Sequence, residues 1–175
     1  MPASGGRCLM KPPESHWFAD SGTIPNNPRL PVVIYRDAAP HDADEIETLF
    51  HRHGWPPAWR YIVYPYAHYH STAHEVIGVY RGTARLRLGH DAGEIFEVGP
   101  GDVIVLPAGT GHENLGASAD FHAVGAYPSD QEPDMRYGRP TERPAALERI
   151  SQVPLPMSDP VCGKGGPLEQ LWLVT

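Results

Sequence analysis

Three histidines and one glutamate fall within eight consecutive positions of the stretch HYHSTAHE, residues 68–75. Imidazole nitrogens and carboxylate oxygens are donor atoms that proteins offer to divalent transition metals. His68 and His70 are two residues apart, so in a strand both side chains point to the same face and both can reach one ion. Exposed or hydrogen-bonded histidines at this spacing are also common, so the pair indicates a metal site only if further ligands join it.

A third ligand could come from His74 or from Glu75. In a strand these adjacent side chains face opposite ways, so only one of them can point inward with the first two histidines. Glu75 opens the apolar run EVIGVY and shares its alternation with Ile77 and Val79. A carboxylate there is costly to bury without a partner, which a metal would supply. The alternation favours Glu75 mildly and leaves both residues open.

A second cluster, GDVIVLPAGTGHEN, occupies residues 101–114. It consists of an apolar strand, Val103–Leu106, then Pro107, a glycine-rich turn and His112. Glycine and proline favour turns at such positions. By itself His112 could be an ordinary turn histidine.

Together the two clusters resemble the two motifs of the cupin superfamily. The first motif is His, one residue, His, three or four residues, Glu, six residues, Gly, and it is filled by His68, His70, Glu75 and Gly82. The second is Gly, five residues, Pro, one residue, Gly, two residues, His, and it is filled by Gly101, Pro107, Gly109 and His112. The asparagine usual four residues after this histidine is replaced by Gly116, and Asn114 stands two residues early. The role of the asparagine is therefore in doubt.

The flanking segments extend the resemblance to a branch of small bacterial cupins, often labelled YjlB-like. These segments include IPNNPRLPVVIY, ADFHAVGAYPSDQ and VPLPMSDPVCG. The resemblance implies an all-β cupin fold, a double-stranded β-helix or jelly-roll barrel with one or two short flanking helices. It further implies one divalent transition metal per chain (Fe, Mn, Ni, Co or Zn), with the ligands His68, His70, Glu75 and His112. His74 is then a bystander on the outer face or in the turn.

Three further side chains are candidates for the pocket around the metal. Strand alternation over residues 60–70 puts Tyr64 and Tyr66 on the face of His68 and His70, with Arg60 at the rim. The tyrosines could hydrogen-bond a bound oxygen anion, or they could be plain barrel core. Arg60 could pair with a substrate carboxylate, or it could be an ordinary surface arginine. The facing of His122 stays open.

Short strands separated by turn residues must position these side chains. We predict strands at 30–36, 60–70, 74–81, 84–89, 95–98, 103–106 and 121–127, a pattern typical of an antiparallel barrel or sandwich. A helix is predicted at about 42–53, with Asp42 as N-cap and Gly54 after its end. The predicted organisation is a tail at 1–24, a single barrel at 25–127 that includes this helix, and an arm at 128–175. The arm is rich in proline, has a short helix and ends in apolar Leu171, Trp172 and Leu173. These residues should pack on the outside of the barrel, either of their own chain or of a partner in a homodimer.

Composition limits the classes of partner. The chain has 175 residues and a formal charge of −7, which argues against nucleic acid because phosphate binding needs a basic face. Its start lacks the apolar segment of a signal peptide, and no apolar run approaches the roughly 20 residues that cross a bilayer. A cytoplasmic location is the default expectation. Two cysteines, Cys8 and Cys162, do not form a disulfide framework, and we expect two reduced thiols.

The function that the resemblance implies is metal binding, with a metal-dependent enzyme as the leading hypothesis. Its substrate would be a small oxygen-rich organic molecule, and the reaction an oxygenation, isomerisation or decarboxylation. The alternative is a non-catalytic cupin that binds a metal or a small molecule. A fold and ligand set of this kind serve many reactions, so the sequence does not choose among them. A homodimer is expected, with no nucleic-acid or membrane partner.

Overall fold

Nine β-strands in the described part of the chain, Cys8 and residues 11–173 of this computed structural model, form two antiparallel sheets. The strands are β1 (Glu14–His16), β2 (Val32–Tyr35), β3 (Pro57–Tyr61), β4 (Glu75–Arg81), β5 (Ala84–Leu88), β6 (Glu94–Val98), β7 (Val103–Leu106), β8 (His112–Ala117) and β9 (His122–Ala126). The larger sheet has the order β1-β2-β7-β4-β9-β3, and the smaller one has the order β6-β5-β8. The helices are α1 (Ala43–Arg52), α2 (Ala145–Gln152) and α3 (Pro167–Leu171).

The two sheets face each other across an apolar core. On β4, Ile77 and Val79 point into this core and lie in one cluster with Leu86 and Leu88 of β5. Val76, on the opposite face of β4, lies in a second cluster outside the larger sheet. Two facing antiparallel sheets with short helices confirm the predicted all-β cupin jelly-roll class. Glu75, at the start of β4, shares the inward alternation of Ile77.

Helix α1 covers the outer face of the larger sheet. Asp42 caps it by accepting a hydrogen bond from the backbone N–H of Glu45 at 3.0 Å, which confirms the predicted cap. Ile46 and Phe50 are fully buried against the sheet. Gly78 of β4 lets them approach, because a Cβ at that position would lie 2.9 Å from Phe50 and 3.0 Å from Ile46.

The strands around the metal motifs differ from the prediction in two places. The single strand expected at 60–70 is β3, which ends at Tyr61, followed by an irregular segment up to Glu75. Pro65 lies in this segment, and proline has no N–H to donate to a sheet. The second difference is strand β8, which the sequence analysis did not predict and which begins at His112 and pairs with β5. The backbone is therefore extended again directly after the glycine-rich turn that follows β7.

The arm after residue 127 packs against the outer face of the larger sheet. Trp172 is fully buried there, and its Nε1–H donates to the carbonyl of Pro31 at 2.9 Å. Leu168 is also buried, whereas Leu173 is 69% exposed on the single chain, so its packing against a partner stays a prediction. Asp159 anchors the arm by accepting a 2.6 Å hydrogen bond from the hydroxyl of Tyr35.

A disulfide joins Cys8 to Cys162, so the expectation of two reduced thiols is wrong. The two residues are 154 positions apart in the chain, and the fold brings their Cα atoms to 5.7 Å. Part of the predicted tail is also structured, because β1 pairs with β2. Residues 1–7, 9 and 10 lie outside the described residues, as do 174 and 175. Among the described residues, none of the helices combines the length and apolarity needed to span a membrane.

Candidate metal centre

The two sequence clusters meet through the backbones of His68 and His112. The N–H of His112 donates to the carbonyl of His68 at 3.0 Å, and the N–H of His68 donates to the carbonyl of His112 at 3.2 Å. This isolated bridge holds the irregular segment after β3 against the first residue of β8. Residues 44 positions apart are thereby placed side by side at one end of the core between the sheets.

His68, His70 and His112 are all buried and offer ring nitrogens that lie within 4.8 Å of one another. The Oε2 oxygen of Glu75 lies 3.1 Å from Nε2 of His70 and 3.2 Å from Nε2 of His112. Two of the three imidazoles are therefore in direct contact with the carboxylate. Three nitrogens and one oxygen converge on a space of the size of one ion.

Backbone carbonyls orient the three rings. Nδ1 of His68 lies 3.0 Å from the carbonyl of Tyr66, and Nδ1 of His112 lies 3.0 Å from that of Thr110. Nδ1 of His70 lies 2.5 Å from the carbonyl of Asp134. A carbonyl accepts and cannot donate, so each Nδ1 carries a hydrogen. The Nε2 lone pairs are left for a metal, as in metal sites where a second partner fixes the histidine tautomer.

Glu75 supplies the observation that tests the fit of a metal. Its Oε2 atom is buried and receives no hydrogen bond of normal geometry from the described residues. The atoms nearest to it are Nε2 atoms of His70 and His112, which are acceptors when Nδ1 carries the only ring proton. Acceptors facing each other in a buried space need a cation between them. A proton on Nε2 of His70 meets that need in the metal-free chain, and a divalent metal can take its place.

Burial and mutual contacts shift the pKa values of these ligands. Burial, together with the neighbouring ring of His112, lowers the pKa of His68 to about 3. Burial by itself would lower the pKa of His70, but the Glu75 carboxylate outweighs it and the net pKa is raised. Burial by itself would raise the pKa of Glu75, but contact with His70 and His112 holds it well below its usual range. In the metal-free chain, the Glu75 carboxylate therefore favours the protonated form of His70.

Metal binding near pH 6 is expected to release a proton from His70 and none from His68. The raised pKa of His70 means that its proton competes with the metal as the pH falls, so affinity should weaken in this range. His68 becomes a competitor only as the pH approaches its pKa of about 3. Calorimetric titration with Zn²⁺ in buffers of different ionisation heats measures the number of protons released.

The control is an NMR pH titration of the ring nitrogens in the metal-free protein. His68 should stay neutral between about pH 4 and pH 8, since its pKa is lowered to about 3. A His68 ring that titrates within this range, or proton release that is unchanged in His70→Ala, would contradict the assignment.

A cavity of about 200 Å³ opens directly above the ligands. Its wall includes Trp59, Ile62, Val63, Tyr64, Tyr127 and Met135. Among the described residues that line it, none is a lysine or an arginine. The sequence analysis did not find Trp59 and Tyr127, because they lie outside both motifs. Their signal would have been two polar-tipped aromatic residues at paired strands, Trp59 within β3 and Tyr127 directly after β9.

The three pocket candidates take different places. Tyr64 lines the cavity and is 38% exposed. Tyr66 stacks on Tyr64 with ring centres 5.1 Å apart and approaches the ring of His68 to 5.7 Å. Arg60 lies away from the cavity, where it binds Asp44 and Glu47 of α1. The face expected from alternation over 60–70 does not exist, because the strand ends at Tyr61.

The remaining polar candidates lie away from the metal ligands. His74 is buried beneath the arm, where its Nδ1 accepts a hydrogen bond from the N–H of Ala108 at 2.9 Å and its ring lies 4.8 Å from that of Trp172. Burial lowers the pKa of His74 to about 4. The side chain of Asn114 accepts a hydrogen bond from the N–H of Gly116 within β8. His122 lies at the start of β9, near the backbone carbonyl of Asp120.

The arm contributes to the site through Asp134, which the sequence analysis also missed. Besides its carbonyl contact to His70, Asp134 accepts hydrogen bonds through its carboxylate from the N–H of Ser71 at 2.6 Å and from Arg136 at 2.9 Å. The backbones of Tyr69 and Arg136 also pair. Asp134 is 64 residues from His70, so no local pattern could have indicated this contact.

Comparison with known proteins gives one extensive sequence match. The chain is 41% identical over 160 residues to the uncharacterised protein YjlB of Bacillus subtilis (strain 168). The matched residues make up 91% of this chain and 96% of that protein. No protein-family model matches the chain.

Solved structures give partial matches. Tomato vicilin (Solanum lycopersicum) is 15% identical with a TM-score of 0.39 and covers 63% of this chain and 30% of its own. Procruciferin, an 11S globulin of Brassica napus, is 15% identical with a TM-score of 0.40, and the match covers 87% of this chain and 37% of procruciferin. The plu4264 protein of Photorhabdus luminescens is 18% identical with a TM-score of 0.27, and the match covers 70% of this chain and 71% of the plu4264 protein. The chain thus spans about a third of the length of the vicilin and of the 11S globulin.

Proposed function

This chain belongs to the YjlB-like cupins, and from that premise we propose that it is a metal-dependent enzyme acting on a small organic substrate. The observation that supports the proposal most strongly is the buried Oε2 of Glu75, which lies 3.1 Å from Nε2 of His70 and 3.2 Å from Nε2 of His112. His68, His70, Glu75 and His112 would hold one divalent Fe, Mn, Ni, Co or Zn ion. Such an ion, when bound, supplies Lewis-acid or dioxygen-activating chemistry at its open positions.

The cavity limits the substrate. A volume of about 200 Å³ is below the roughly 300–1,000 Å³ of sites for drug-sized ligands, so the substrate is small. The wall is mostly apolar and has no cationic side chain among its described residues, so a multiply charged substrate would lack partners. We propose a neutral or singly charged molecule that places one or two oxygens toward the ligands and an apolar remainder toward Ile62 and Met135. Tyr64 is available to hydrogen-bond one of its oxygens.

The chain's own residues would orient such a substrate and exclude water. The apolar side chains above the ligands replace solvent around the reacting atoms, which strengthens electrostatic interactions there. The hydroxyl of Tyr64 offers a hydrogen bond at the cavity wall, whereas the hydroxyl of Tyr127 donates to Glu75. Oxygenation, isomerisation and decarboxylation are all compatible with these groups.

The test begins with protein purified without a histidine tag. Metal analysis should find about one divalent ion per chain, and the Fe²⁺ form should bind nitric oxide if open positions remain. A screen of small carbonyl and enol compounds should then find one that is consumed by wild type and not by His112→Ala. A tightly bound metal that responds to no added ligand would favour the alternative, a non-catalytic metal-binding cupin.

Two further expectations are kept as proposals. Self-association as a homodimer is supported by the exposed apolar side chains Ile95 and Leu115 on the edge strands of the smaller sheet, and sedimentation decides it. The second expectation is a cytoplasmic location. The disulfide argues against it, because the cytosol keeps most thiols reduced. Thiol blocking in intact cells, followed by mass measurement, would show the state of Cys8 and Cys162.

A further inference from the structure

The second carboxylate oxygen of Glu75 has two hydrogen-bond donors. Nε1–H of Trp59 donates to Oε1 at 3.2 Å, and the hydroxyl of Tyr127 donates to the same atom at 3.3 Å. Oε2 points to His70 and His112 instead. Oε1 of this buried carboxylate therefore contacts two hydrogen-bond donors, whereas Oε2 faces two of the proposed metal ligands.

Gly125 makes the position of Trp59 possible. Trp59 on β3 pairs with Gly125 on β9, and a Cβ at Gly125 would lie 1.8 Å from Cε2 and 2.1 Å from Nε1 of the indole. Any side chain there would expel the ring from its place beside Glu75. Gly125 has no positive φ, so close packing, and not backbone conformation, accounts for the glycine. Glycine within a strand often marks such a close approach.

We infer that Trp59 and Tyr127 are positioning residues that restrict Glu75 to single-oxygen contact with the metal, and that Gly125 is the residue that admits Trp59. This inference rests on the proposed metal site. To bind through both oxygens, Glu75 would have to give up two hydrogen bonds to a charged group, and each such bond is worth about tenfold or more in an equilibrium constant. The second oxygen of Glu75 would then occupy no coordination position on the metal, and that position would be open for substrate.

The experiment uses the Co²⁺-loaded protein, whose visible spectrum reports the number of ligands, and azide as the probe of open positions. Tyr127→Phe and Trp59→Phe each remove one donor. Both variants should keep their metal, show a changed Co²⁺ spectrum before azide is added, and bind azide about tenfold more weakly than wild type. The spectral change separates loss of positioning from loss of a direct contact between Tyr127 and azide.

Gly125→Ala, with Gly116→Ala as its control, tests the steric part of the inference. A Cβ at Gly116 on β8 meets nothing within 4 Å, so Gly116→Ala should match wild type in spectrum and azide affinity. Gly125→Ala should reproduce Trp59→Phe. If Gly125→Ala does not fold, Tyr127→Phe and Trp59→Phe still decide the question.

The outcomes separate this inference from the proposed function. Wild type that takes up no divalent metal would overturn the proposed function and the inference together. Wild type that binds Co²⁺ and azide, with Tyr127→Phe and Trp59→Phe unchanged in spectrum and affinity, would overturn the positioning role alone.

Discussion

Replacing Glu75 by glutamine should lower the amount of bound metal at least about tenfold, and His70→Ala should do the same. Glutamine keeps the size of the side chain but puts a neutral amide where the charged Oε2 now faces His70 and His112. His70→Ala removes one of the three converging nitrogens. Metal content per chain after dialysis, measured by mass spectrometry of the eluted ion, gives the result.

His74→Asn is the matched control, because His74 is adjacent to Glu75 in the chain but lies on the other side of the larger sheet. Its Nδ1 accepts a hydrogen bond from Ala108, and its ring contacts Trp172 beneath the arm. The variant should be less stable because a buried ring is lost, yet each folded chain should hold as much metal as wild type. An equal loss of metal in His74→Asn would mean that the inward face of β4 has been assigned to the wrong residue.

Trp172→Ala should lower the free energy of unfolding by about 3–5 kcal/mol. The side chain is 1% exposed and packs in the outer cluster with Phe50, Trp55 and Leu168. Its removal leaves a cavity between the arm and the sheet and leaves the carbonyl of Pro31 without its donor. Urea unfolding followed by circular dichroism measures the difference.

The neighbouring residue provides the control for this prediction. Leu173 is 69% exposed, so Leu173→Ala should change the free energy of unfolding by less than about 0.5 kcal/mol. If Trp172→Ala is as stable as wild type, the arm does not contribute to the stability of the sheets. If the two variants lose equal stability, general disturbance of the C-terminus would explain the loss better than burial of the indole.

Local patterns in the sequence determined the features whose causes are local. Helix α1 was predictable because its cap, Asp42, and its buried residues, Ile46 and Phe50, lie within three turns of one another. The strands β4, β5, β6 and β7 were predicted within two residues because turn residues separate short apolar runs. The resemblance to the cupin motifs also named His68, His70, Glu75 and His112, a group that the fold brings together. Whether they hold a metal stays a prediction.

Tertiary structure decided what depends on contacts between distant segments. The carbonyl of Asp134 orients His70 across 64 residues, Cys8 meets Cys162 across 154, and Trp59 reaches Glu75 because β3 lies beside Gly125 of β9. No alternation of side chains within a single segment encodes such pairings, since they depend on which surfaces remain to be covered once the sheets have formed. The same reason explains the error over residues 60–70, where the pairing of His68 with His112, and not a continuous strand, sets the direction of the ligands.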